Sequence, residues 1–136
     1  DNPSTVTYER FDPLLTGGLG DWIQGINYRK LLGNGNIISH RVQLQAYIDK
    51  RADLSLDYFA LTADYLNNQG GLAPISTLKS LNLGQELTFS FRYYINKNYM
   101  LLGIFSHAFR GQAMNDAFSN PIFDWTSYQL AIFMFY

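Results

Sequence analysis

Few side chains in this 136-residue sequence could do chemistry, and no group of them forms a reaction centre. Arg41, Gln43 and Gln45 occupy every second position of one stretch, and Glu86, Arg92 and Tyr94 share the even positions of another with Thr88 and Ser90. Arginines displayed this way can bind a carboxylate in bidentate fashion, or pair with acids such as Asp57 and Glu86 and brace a wall. Arg29, Lys30 and Arg110 fall in or beside connecting segments, where they either attract anions or stand solvated. His40 and His107 are far apart with no carboxylate at a ligand spacing, so no metal is expected. Met114-Asn115-Asp116 offers a single carboxylate and no run of oxygen ligands for calcium. Asp12 and Asp21 share a segment but carry no pattern of their own. There is no phosphate-binding glycine loop, nucleophile elbow or paired-carboxylate motif. With no cysteine, thiolate sites and disulfides are also excluded. The expectation is a protein that is not an enzyme and carries no cofactor.

The polar positions matter because of what lies between them. Ten basic and eleven acidic residues nearly cancel, which implies no general attraction to nucleic acid. Aromatic residues make up 16% of the chain while mean hydropathy is only −0.12, as when apolar and polar residues alternate. No run approaches the roughly 18–20 apolar residues a spanning helix needs. The absence of cysteine is compatible with an oxidising compartment. The chain begins at Asp1 and shows no signal peptide, which reads as a processed protein or a fragment.

Period-two alternation, the mark of a strand, dominates from residue 37 onward. Ile38, Val42, Leu44, Ala46 and Ile48 fall on one face of 37–49, interrupted by His40. Leu54, Leu56, Tyr58 and Ala60 continue the pattern after a polar turn at 50–53. The alternation is cleanest over 83–96, with Leu87, Phe89, Phe91, Tyr93 and Ile95 opposite the polar set. A strand over 99–109 follows the turn at 96–98, with its apolar face unresolved. The last strand runs to Tyr136, with Tyr128, Leu130, Ile132 and Met134 on one side. Val6 to Phe11 could end an earlier strand, and 21–32 reads as a short helix or a packed loop. Long connections at 12–36, 68–82 and 111–124 alternate with the short turns.

Alternating short and long connections, and a chain ending on an aromatic strand, fit an outer-membrane β-barrel better than a soluble sandwich. The short turns would then be periplasmic and the long connections outer loops. Tyr58, Tyr93, Tyr99, Tyr128 and Tyr136 would serve as interface anchors. Five to six strands are too few to close such a barrel, and an open edge in lipid is costly. The fold expected is therefore all-β, an antiparallel transmembrane β-barrel of which residues 1–136 are the C-terminal part. The remaining strands would come from the same longer chain or from other chains.

Two stretches resemble a known family. Glu9-Arg10-Phe11-Asp12-Pro13-Leu14 with Asp21-Trp22-Ile23-Gln24-Gly25 resembles an outer loop of the alginate-export family of outer-membrane porins. Gly33 to His40 and Leu54 to Phe59 resemble the descending strand beyond it. The resemblance spans about half the chain and implies a polar lumen carrying solutes, in some members an anionic polysaccharide. The expected function is passive passage of small or anionic solutes, saccharides among them, across a bacterial outer membrane, with its lipid as partner. The alternative is a structural or assembly barrel without an open pore.

Overall fold

The computed structural model describes residues 25–31 (29–31 by backbone alone), 36–67, 75–118 and 124–136. Five strands form one antiparallel sheet in chain order: β1 (Ile38–Tyr47), β2 (Ala52–Thr62), β3 (Asn82–Asn96), β4 (Tyr99–Arg110) and β5 (Trp125–Met134). Two short helices, α1 (Ile26–Leu31) and α2 (Gln112–Ala117), lie in the longer connections. The early strand at residues 6–11 and the first resembling stretch, except Gly25, lie outside the described residues, as do Gly33 to Gly35.

Side chains close both short turns. Asp49 Oδ1 accepts the backbone N–H groups of Arg51 at 2.6 Å and Ala52 at 2.8 Å. Asn96 Oδ1 does the same for Asn98 at 2.8 Å and Tyr99 at 3.1 Å. These are the local bonds that make Asx residues turn formers. Because Asp49 closes the first turn early, Ala52 and Asp53 belong to β2, not to the turn expected at 50–53. Likewise Asn82 opens β3 where a loop was expected to end.

Between its two irregularities, at Leu61/Thr62 and Tyr94/Asn96, the register keeps the alternations in phase. Leu44, Leu56, Phe89, Phe105 and Tyr128 form one row across all five strands. Gln43, Asp57, Thr88, Ser106 and Ser127 form the adjoining row on the opposite face. The first face is a broad apolar surface, with Leu44 66%, Tyr128 80% and Leu130 75% exposed. An apolar face this wide marks contact with lipid or with another protein. The opposite, inner face carries the helices. The sheet is open among the described residues: β1 and β5 make no contact with each other.

β4 settles the face that alternation left unresolved. Leu101, Phe105 and Phe109 point outward, and Leu102, Ile104, Ser106 and Ala108 lie buried on the inner side. Both faces are apolar because the inner one packs against other elements. Two clusters cover it. At the long-connection end, Phe59, Leu61, Leu83 and Ala108 pack with Tyr28, Met114 and the segment around Ile75 and Leu78. Nearer the middle, Ile26 sits on Leu102 and Ile104, with Phe133 against them. Leu83 joins this core because the register shifts between Leu61 and Thr62, and the bulge turns an otherwise outward position inward.

Candidate functional site

The inner face is built around one buried carboxylate. Glu86 on β3 is 0% exposed and aims at the first turn of α1. It accepts backbone N–H bonds from Ile26 at 2.6 Å, Asn27 at 3.0 Å and Tyr28 at 3.2 Å. Ser106 and Thr88 donate their hydroxyls to the same carboxylate. A helix start leaves its first N–H groups without intrahelical partners, and α1 has no acidic residue in its own first turn. A strand residue, sixty positions away in sequence from Ile26, supplies the missing acceptor. Negative charge at a helix start is also favoured by the aligned peptide dipoles.

Two glycines make the approach physically available. Gly25 has φ +76°, and a Cβ there would overlap the Glu86 carboxylate. Gly84 has φ +134°, and a Cβ there would overlap the Tyr28 hydroxyl and the Phe109 carbonyl. That hydroxyl lies 2.7 Å from the Leu83 carbonyl and 3.1 Å from the Phe109 carbonyl. Asn27 completes the dock: its Nδ2 donates to Ser106 Oγ at 3.2 Å, and its Oδ1 accepts from Ser127. Burial and the nearby Glu86 charge hold the Tyr28 phenol well above its ordinary pKa of 10.0. The folded protein therefore keeps this proton while the unfolded chain releases it above pH 10. Stability should be intact below pH 10 and fall as pH rises beyond it. Denaturant unfolding at pH 9 and pH 11 checks this, with Tyr28→Phe flattening the difference.

Below the docked helix the inner face forms an open cavity of about 450 Å³. Arg41, Gln43, Gln45 and Arg92 line it together with Asp57, Ser55 and Ser90. Arg41 Nε donates to Asp57 Oδ1 at 2.8 Å, and the guanidinium lies 5.6 Å from the Phe59 ring centroid. Arg92 Nε donates to Asp53 Oδ1 at 2.9 Å, so its acidic partner is Asp53, not Glu86. Ser55 and Ser90 join their hydroxyls across β2 and β3 at 2.5 Å. The lining contributed by β4 and the end of the chain is apolar: Met100, Leu102, Phe133 and Phe135.

The residues singled out from sequence thus fall into separate places. Arg41, Gln43, Gln45 and Arg92 meet at the cavity, Glu86 is sealed beneath α1, and Tyr94 is exposed towards the short turn. Arg110 ends β4, half-buried and opposite Gly84. The side chains of Arg29 and Lys30 lie outside the described residues. Tyr93 and Tyr99 flank the 97–98 turn, whereas Tyr58 and Tyr128 sit within their strands. His107 lies on the outer face, bonded through Nδ1 to Thr126 at 2.8 Å, and His40 faces outward on β1. No group of three metal-binding side chains comes together among the described residues. Sequence reasoning missed Asn27 and Tyr28, and the one available signal was Gly25 before them in a segment with no acidic cap. No family model, curated protein or solved structure matches this chain.

Proposed function

We propose that this chain is the C-terminal part of a bacterial outer-membrane β-barrel, not an enzyme, that passes small or anionic solutes by diffusion. The observation that carries the reading is the split between the two faces of one sheet. An apolar row lies outside, and a row of hydroxyls, amides and ion pairs lies inside. Water alone would not favour the outer face, whereas lipid would, because transmembrane barrels alternate apolar-out and polar-in. The open edges of β1 and β5 would be paired by further strands, since unpaired backbone groups in lipid cost several kcal/mol each. The resemblance to alginate-export porins agrees with this reading. α1, folded against the inner face, would narrow the lumen.

A structural or assembly barrel is the second reading, and one feature favours it. The inner face at the long-connection end is filled by a packed core around Tyr28 and Met114 instead of water. Reconstitution of the full natural chain into planar bilayers separates the two. Stepwise ion conductance is expected for the pore, and inserted but silent protein would favour the structural role.

A further inference from the structure

We propose that the cavity beneath α1 is a subsite for a small monocarboxylate with an apolar or aromatic body, an inference that rests on the pore reading. Arg41 and Arg92 each commit Nε to an aspartate, and their terminal guanidinium nitrogens bond no other described residue. The arginine side chains are 28% and 40% exposed, while their partners Asp57 and Asp53 are only 8% and 10% exposed. Both arginines line the cavity and are more accessible than the acids they pair with, of which Asp57 also reaches the lining. The guanidinium donors suit a carboxylate, the acceptor whose geometry the arginine fork matches.

The charge balance limits how many carboxylates the site can serve. Two arginines and two aspartates cancel, so no surplus positive field draws in a polyanion. Binding must come from local hydrogen bonds at one point. Where β4 and β5 line the cavity, with Leu102 paired to Arg92 across β3 and β4, Met100, Leu102, Phe133 and Phe135 offer no side-chain oxygen or nitrogen. A sugar ring placed there would lose water from its hydroxyls without finding partners. An aryl or alkyl body would bury apolar surface against the same side chains. The 450 Å³ volume suits a ligand of this size.

The test uses the full natural chain in lipid nanodiscs, titrated calorimetrically with phenylacetate, galacturonate and 2-phenylethanol. Phenylacetate should bind about tenfold more tightly than either, because only it satisfies both parts of the lining. The double variant Arg41→Gln/Arg92→Gln should erase its advantage over 2-phenylethanol. Phe135→Ser, beyond the end of β5, should erase its advantage over galacturonate without touching the ion pairs. Galacturonate binding as tightly as phenylacetate, or Phe135→Ser leaving the preference intact, would overturn the subsite. Bilayer conductance in the same preparation keeps the two ideas apart. Conductance without the phenylacetate preference removes the subsite alone, and the preference in a silent barrel removes the pore alone.

Discussion

Replacing Phe89 with arginine is expected to destabilise the bilayer-inserted protein by about 2–4 kcal/mol, the cost of a cation near the membrane midplane on a barrel's lipid face. Phe89 stands in the apolar row between Leu56 and Phe105 and is 41% exposed on the outer face. Phe91, next on that face, should respond similarly. Ser90 provides the internal control, one residue away on the opposite face. It lines the cavity, where an arginine can reach water, and loses only its bond to Ser55. Its replacement by arginine should cost about 1 kcal/mol, the net value of one such bond. Denaturant unfolding from lipid vesicles measures both. Equal losses at positions 89 and 90 would mean that the two faces do not meet different solvents.

The second large effect is expected at Glu86. Glu86→Ala removes the acceptor for three backbone N–H groups and two hydroxyls at a fully buried position. Breaking such a network leaves buried donors unpaired, at a cost of about 3–5 kcal/mol. The loss should be local first, because the sheet's own ladder does not depend on Glu86. Hydrogen exchange should therefore speed up at Ile26, Asn27 and Tyr28 before β3 and β4 respond. In conducting membranes the same variant should raise the unitary current, since α1 would leave the inner face. Glu86→Gln keeps one acceptor oxygen and turns an amide donor towards the helix N–H groups, so it should fall between the two. Persistent protection of the Ile26 to Tyr28 amides in Glu86→Ala would assign the dock to Asn27 and Tyr28 instead.

The sheet was legible in the sequence because alternation is a local property. Over 86–93 the apolar and polar sets never exchange parity, and the structure places Phe89 and Ser90 on opposite faces. The turn at 96–98 was equally plain, since Asn96 bonds backbone groups two and three residues ahead. β4 was not legible in this sense. Its inward Leu102 and Ile104 pack on Ile26, and that contact depends on a helix more than seventy residues earlier in the sequence. Glu86 illustrates the same limit. Its parity placed it on the polar face, but parity cannot distinguish a lumen carboxylate from one sealed against a helix start. The pairing of Arg92 with Asp53 needed the register of β2 on β3, which a turn ending at Asp53 would have misplaced. Asn27 and Tyr28 act only through distant partners, and Gly25 is the one neighbour in sequence that hints at their roles.

The most direct test of the proposal that this sheet faces lipid is a spin-label scan along Glu86 to Tyr94 of the full natural chain in proteoliposomes. Labels at 87, 89, 91 and 93 should be accessible to membrane-dissolved oxygen, and those at 88, 90, 92 and 94 should not, in a strict two-residue rhythm. A polar relaxant should show the opposite phase wherever the inner face is wet. A rhythm in which the odd positions reach only the aqueous relaxant would contradict the membrane barrel, and the apolar face would then belong to a protein partner.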